Sequence, residues 1–139
     1  MAELELRNDH RKEIIDYFQK QSLVALEKCG LFAEGEAKVN LTKQKAVDTG
    51  ALRNSITHKV KEESKGGTVH IGTNMEYAPY IEFGTGIHYE GGRRTSWSYQ
   101  DRKGQWHMTN GQRAKPYLKP AITDHTDEYK RIIEQELKA

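Results

Sequence analysis

The stretch DHRKEIIDYFQKQSLVALEKCGLFAEGEAKVNL, from Asp9 to Leu41, decides how the rest of the chain is arranged. Apolar residues recur in it at Ile14, Ile15, Phe18, Ala25, Leu26, Cys29, Phe32, Ala33, Ala37 and Leu41, the three-and-four spacing of one helical face. Asn8 or Asp9 can cap its start through a side-chain oxygen. Gly30 and Gly35 each cost about 1 kcal/mol against alanine inside a helix, so the stretch is one long helix with a weak middle or two pieces. A single long helix is the expectation. Between Glu3 and Lys45 eight acidic residues stand against eight basic ones, which describes a solvated face and not a binding patch.

Downstream the period changes. Ile56 to Glu62 and Thr68 to Thr73 alternate apolar with polar residues around Ser64-Lys65-Gly66-Gly67, and read as a β-hairpin. A second hairpin is predicted at Trp97 to Asp101 and Gln105 to Thr109. There Asp101-Arg102-Lys103-Gly104 is the turn, Gly104 can take a positive φ, and Trp97, Tyr99 and Trp106 could pack across the strands. Gly84, Gly86, Gly91 and Gly92 mark a loop between the hairpins. Pro120 suits the first turn of a closing helix, whose apolar positions are Ile122, Tyr129, Ile132, Ile133 and Leu137. The predicted fold is α+β: a long N-terminal helix and a C-terminal helix packed on an antiparallel β-sheet built from hairpins, as one domain over residues 1–139.

Composition bounds the function. A chain of 139 residues holds one modest core, and its net charge of +2 demands neither a nucleic-acid nor a membrane partner. With 35% hydrophobic and 30% charged residues it is polar for a small domain, so subunit contacts are expected to complete its stability. Cys29, the one cysteine, can make no internal disulfide and has no companions for a zinc ribbon, which suggests a reducing compartment. No leader-like N-terminus and no long apolar run are present in the sequence, so the expectation is a soluble, unexported protein with no membrane contact.

Few motifs carry chemistry. Asp48-Thr49-Gly50-Ala51 also occurs in retroviral-type aspartic proteases, where two subunits each supply one aspartate and the pair shares a proton. That aspartate follows an apolar strand, whereas Asp48 follows the polar Lys43-Gln44-Lys45-Ala46-Val47, and the later apolar-apolar-Gly-Arg-Asn/Asp segment of those enzymes does not occur. The simpler role is that Asp48 or Thr49 accepts backbone N–H bonds at the start of a short helical turn through Leu52 and Arg53, with Gly50 letting the chain bend. Arg53 and Glu82 both sit among apolar neighbours. They either form a partly buried ion pair that fixes the geometry between segments or are each solvated.

His10, His58, His70, His88, His107 and His125 are scattered without metal-ligand spacing, although His58 and His70 could face each other across the first hairpin. No metal or cofactor is expected. Gly84-Thr85-Gly86 alone does not make a phosphate loop, and Ser55 has no identifiable base. From Gly86 to Lys119 seven basic residues stand against two acidic ones, an excess of five positive charges. Arg93, Arg94, Arg102, Lys103 and Arg113 are there interleaved with Trp97 and Trp106. That mixture suits single-stranded nucleic acid, or a hairpin whose basic edge is solvated or meets an acidic subunit.

Three segments in fixed order carry a resemblance. They are Val-Asp-Thr-Gly-Ala-Leu-Arg-Asn-Ser-Ile (residues 47–56), Tyr-Ala-Pro-Tyr-Ile-Glu-Phe-Gly-Thr-Gly (77–86) and Lys-Pro-Tyr-Leu-Lys-Pro-Ala (115–121). Together they resemble the signature of the tail-completion and head–tail joining proteins of long-tailed bacteriophages, over about residues 10–135. The positions involved are Asp48, Thr49, Gly50, Leu52, Arg53, Ser55 and Ile56, then Tyr77, Ala78, Tyr80, Glu82, Phe83, Gly84 and Thr85, then Pro116, Tyr117, Leu118, Pro120 and Ala121. Many members carry a proline just before the Val-Asp-Thr-Gly stretch, where this chain has Ala46, a change that softens the helix stop.

The resemblance implies an α+β structural protein at the neck or head-proximal tail end of the virion, made in the bacterial host cytoplasm. It implies a ring of identical copies touching head-connector or tail-tube proteins, with non-specific DNA contact in the passage, and no enzymatic activity. The residues that could serve as interface or passage are Arg93, Arg94, Trp97, Arg102, Lys103, Trp106 and Arg113. The alternatives are a nucleic-acid-binding domain built on residues 86–119 and, third, the aspartic protease through Asp48.

Overall fold

A computed structural model describes residues 10–44, 49–101 and 103–138. Its framework is α1, Arg11–Gln44, one continuous helix of 34 residues that runs through both Gly30 and Gly35. It is followed by a short helix α2, Thr49–Ser55, and by the antiparallel pair β1, Thr57–Glu62, and β2, Gly67–Gly72. A six-residue helix α3, Ala78–Phe83, opens the glycine-marked region; it is too short for a helical period to announce it in the sequence. The second pair is β3, Trp97–Gln100, and β4, Trp106–Thr109. The chain closes with α4, Leu118–Thr123, and α5, Thr126–Leu137.

The α+β class and the long first helix match expectation, with two differences of arrangement. The hairpins do not merge: each is its own two-stranded sheet. The first lays one face on α1, whereas the second keeps mostly exposed side chains on both faces, Trp106 and Met108 among them, and buries neither. The closing helix is broken in two, because His125 (φ −126°) leaves the helical region between Thr123 and Thr126.

The residues that α1 buries are Ala25, Cys29, Gly30, Ala33, Ala37 and Leu41. Apart from Gly30 they step by four, and a four-residue step advances about 40° at 3.6 residues per turn. The stripe therefore winds about 160° around the helix from Ala25 to Leu41, and its small side chains let other elements approach closely. The first hairpin crosses α1 near Gly30. The helix α5 packs beside it, with Phe32 edge-on to Tyr129 (ring centroids 5.5 Å apart) and to His125 (5.4 Å). Burial raises the Cys29 thiol pKa above its ordinary value, as it does for the Tyr129 phenol, which is pushed up to about 12 and donates to the Ala121 carbonyl at 2.5 Å.

At the far end Ala37 and Leu41 join Leu52, Ile56, Ala78, Tyr117 and Ala121 in the main core, flanked by Ile71, Met75, Tyr77, Ile81 and Leu118. The start of α1 differs from expectation. Ile14, Ile15 and Phe18 keep the helical spacing but are exposed, since no element of the described structure covers the first turns.

Gly30 is where the hairpin needs the helix bare. A Cβ there would lie 2.7 Å from His58 Cγ and 3.0 Å from Val69 Cγ2. The imidazole rests on the helix backbone, its Nε2 at 2.6 Å from Glu27 and its Nδ1 at 3.2 Å from Glu34. The hydrogen bond to Glu27 is the main cause that raises the His58 pKa, and Glu34 adds to it against the opposing effect of burial. His58 does not face His70: the register sets His58 opposite Ile71 and His70 opposite Lys59, on opposite sides of the sheet. A further tie was not legible in the sequence. The Gln19 side chain donates to the carbonyls of Glu63 (3.0 Å) and Gly66 (2.8 Å) and accepts from the Gly66 N–H (2.6 Å), clamping the hairpin turn to α1.

Candidate assembly junction

The second and third signature segments meet through Glu82. It is buried, at 7% exposure, and its carboxylate accepts the backbone N–H groups of Tyr117 (2.7 Å), Leu118 (3.0 Å) and Lys119 (2.9 Å). These are donors that the first turn of α4 cannot satisfy internally, and the next residue, Pro120, has no N–H to satisfy. A carboxylate borrowed from α3 thus caps α4, where no local side chain does so. Of the two readings for Glu82 and Arg53, the ion pair does not form. Both Glu82 oxygens are occupied by backbone donors and Arg53 is exposed on α2, because a helix start competes better for a buried carboxylate than a long, desolvation-costly guanidinium.

Other bonds tighten the same junction. Lys115 N–H donates to the Ile81 carbonyl at 2.7 Å, and Asn40 and Gln44 at the end of α1 donate to the carbonyls of Tyr117 (3.1 Å) and Pro116 (2.8 Å). The Tyr117 ring is fully buried, and burial, with Glu82 nearby, pushes its phenol up to about 12. From the first segment Leu52 and Ile56 enter the core, while the Ser55 hydroxyl bonds the Leu52 carbonyl (2.6 Å) and Thr73 Oγ1 (2.5 Å). Ser55 is thereby tied into structure with no base beside it. Asp48 and the side chain of Thr49 lie outside the described residues, so neither the capping role nor the protease alternative bears on this geometry.

Beyond α3 the chain runs back to back with the returning segment. Thr85 and Ile87 N–H groups donate to the carbonyls of Gln112 (2.9 Å) and Asn110 (3.0 Å), and Thr85 Oγ1 accepts from Gln112 N–H (2.8 Å). Gly86 (φ 62°) and Gly111 (φ 117°) face each other so closely that a Cβ on either would collide with backbone. The glycines that could have suggested a phosphate loop serve this backbone contact.

Of the signature positions, Leu52, Ile56, Ala78, Glu82, Gly84, Tyr117 and Ala121 are buried, Ser55, Tyr77, Thr85, Pro116, Leu118 and Pro120 are half-buried, and Gly50, Arg53, Tyr80 and Phe83 are exposed. The junction leaves an open apolar groove of about 510 Å³ between α3 and α4, bordered by Met75, Pro79, Phe83, Leu118 and Ile122.

The basic, aromatic residues lie apart from this junction. Arg93 stacks over Trp97 at 5.5 Å, and Arg94 donates to the Ile87 carbonyl at 2.9 Å. Lys103 is at the tip of the β3–β4 turn and Arg113 on the return; both are exposed, and Arg102 is outside the described residues. The aromatics do not pack on one another across the hairpin. The register sets Trp97 opposite Thr109, Tyr99 opposite His107 and Trp106 opposite Gln100, so Tyr99 stacks on His107 instead, at 5.3 Å. Among the described residues no group of three or more His, Cys, Asp or Glu side chains is placed to hold a metal ion, and no helix is long and apolar enough to cross a membrane.

A long helix carries a hairpin and a short helix capped by the buried Glu82 carboxylate. The family model described as "Bacteriophage HK97-gp10, putative tail-component" matches residues 9–84, from α1 through α3. The chain belongs to this family of phage tail components, and so to the virion. No curated protein and no solved structure matched it. The third signature segment lies beyond the matched span, and Glu82, together with Asn40, Gln44 and the Ile81 carbonyl, ties it to the matched part.

Proposed function

We propose that this protein completes the phage tail or joins it to the head connector, as one subunit of a ring at the neck, and acts without catalysis. The observation that carries the proposal is the family match over residues 9–84, to which the capped junction adds a rigid platform for neighbours. Ring subunits of this kind have copies of themselves and the head-connector or tail-tube proteins as partners. Exposed Ile14, Ile15 and Phe18 on α1 and the exposed side chains of the second hairpin supply contact surface that the described residues leave uncovered.

A lysate from phage deleted for this gene tests the role by electron microscopy. Filled heads with unjoined or abnormally long tails are expected, since a completion factor acts after both parts exist. Loss of heads altogether would overturn it.

A second reading has its own support: nucleic-acid contact through residues 86–119. Tyr80, Tyr89, Trp97 and Arg93 border a cavity of about 330 Å³ beside Gly84 and Gly86, a basic and aromatic surface on which bases can stack. Such contact within a ring would be sequence-independent and weak per subunit. Gel shifts over a salt series distinguish it, because phosphate-driven binding falls steeply with salt.

A further inference from the structure

Nothing in the local sequence explains why the closing helix is broken. Between residues 121 and 137 there is no glycine or proline, and Leu118, Ile122, Tyr129, Ile132 and Ile133 keep one helical spacing across the break. The break also leaves a helix end poorly served. No side chain caps the start of α5, whereas a continuous helix would satisfy the backbone groups on both sides of the joint.

What holds the break is tertiary. The Ala121 carbonyl, which in a continuous helix accepts the N–H of His125, accepts the Tyr129 hydroxyl at 2.5 Å. The His125 ring lies edge-on to Phe32 of α1, with Nε2 3.1 Å from a Glu36 carboxylate oxygen and Nδ1 3.8 Å from one of Glu128. Asp127 and Glu128 for their part suit the first turn of a separate helix. Residues 118–137 are therefore fit for two states, broken or straight, and contacts with α1 choose between them.

Those contacts are light. None of the twelve residues of α5 is buried. An apolar cavity of about 220 Å³ is left beneath the helix, between Cys29 and Ala33 of α1, Val69 and Ile71 of β2, and Tyr129 and Ile133 of α5. Lys28 of α1 pairs with Glu136 at the surface, where such a pair adds little.

We propose that α5 exchanges between copies: residues 118–137 straighten into one helix, and the α5 part docks on α1 of a second copy. The fold itself names the occupant, since the seat on α1 already accepts this helix in its own chain and exchange repeats the same contacts. Straightening takes α5 off its own chain, because the break is what aims it along α1, and its twelve residues then reach about 18 Å outward. In a lone chain the tethered helix wins by effective concentration; copies gathered at one end of a tail shift the balance. Each copy gives one helix and receives one, a heterologous contact that is complete when rotation closes the ring. The inference rests on the ring reading above and names its interface.

Cross-linking tests it in a Cys29→Ala background, with Lys28→Cys and Glu136→Cys marking the two sides of the seat. A dilute chain carrying both should be linked within itself by a short bismaleimide. Chains carrying one each, refolded together at high concentration, should be linked to each other, and neither kind to its own. Thr126→Pro should suppress the interchain link at least about tenfold and spare the intrachain one, because proline is accommodated at the first residue of α5 but not inside a continuous helix. His125→Ala, which removes the ring that holds the break, should favour the interchain link. Absence of interchain links at the highest soluble concentration, or links as frequent with Thr126→Pro as without it, would overturn the proposal. If interchain links form but the deletion lysate shows normally joined particles, the exchange stands and the tail-completion role falls. If unjoined parts accumulate in that lysate and only intrachain links form, the exchange falls and the role stands.

Discussion

Glu82 shows at the scale of one residue what a signature position does. Replacing it with alanine strands the N–H groups of Tyr117, Leu118 and Lys119 at a buried helix start, which should cost about 1–3 kcal/mol. Glu82→Gln, which keeps one acceptor oxygen but turns an amide donor toward other donors, should fall between. Equilibrium urea unfolding measures both, and a wild-type midpoint for Glu82→Ala would remove the capping account. His58 makes a pH-dependent counterpart. Its imidazole lies between Glu27 and Glu34, with Lys38 3.8 Å from Glu34, and its folded pKa is raised by the Glu27 hydrogen bond above all. The stability it contributes is therefore complete below the unfolded value of about 6.5 and is lost as pH climbs through the higher folded value. The stability gap between wild type and His58→Gln should be widest at about pH 5–6.5 and shrink above; a gap that grows with rising pH would reverse the assignment. Both residues stand out in the sequence, Glu82 by motif and His58 by alternation, but their partners do not. Which backbone donors are left over, and which carboxylates a ring rests against, depends on elements 24 to 37 residues away.

At the scale of elements the two glycines inside α1 separate. Gly35 is exposed with nothing within 4 Å of where a methyl group would stand, whereas at Gly30 the His58 ring already occupies that place. Gly35→Ala should stabilise by up to about 1 kcal/mol through helix propensity. Gly30→Ala should destabilise by about 1–3 kcal/mol despite the same propensity gain, because the hairpin must shift off the helix. Thermal or chemical unfolding of the pair decides this; equal gains at both sites would mean that the hairpin does not seat on Gly30. The period-3.6 pattern made the long helix readable, and turn chemistry made both hairpins readable. The same pattern could not show that the buried stripe winds round the helix by fours or that Ile14, Ile15 and Phe18 would stay exposed, since periodicity marks an apolar face without saying what covers it.

For the whole molecule, the proposed ring would sum the basic excess over residues 86–119 into one field. Arg93 and Arg94 are exposed, and their bonds are to Thr95 Oγ1 and the Ile87 carbonyl at the surface. Arg93→Glu with Arg94→Glu should leave the circular dichroism spectrum and urea midpoint near wild type yet impair particle completion or DNA retention, scored by infectivity and DNA content of particles. The isolated wild-type subunit should bind DNA weakly and without sequence preference; tight, sequence-selective binding at physiological salt would instead favour a dedicated nucleic-acid-binding function. By itself the sequence determined the α+β class, the uninterrupted first helix, the hairpin turns and the kinship with phage tail components, because these depend on local period, turn residues and motif order. Tertiary structure alone decided that the hairpins stay separate, that Glu82 caps α4 rather than pairing with Arg53, and that His58 needs the bare backbone of Gly30. Each of these is settled by which buried donors, acceptors and surfaces remain after the local structure has formed, and that remainder exists only once distant segments have been brought together.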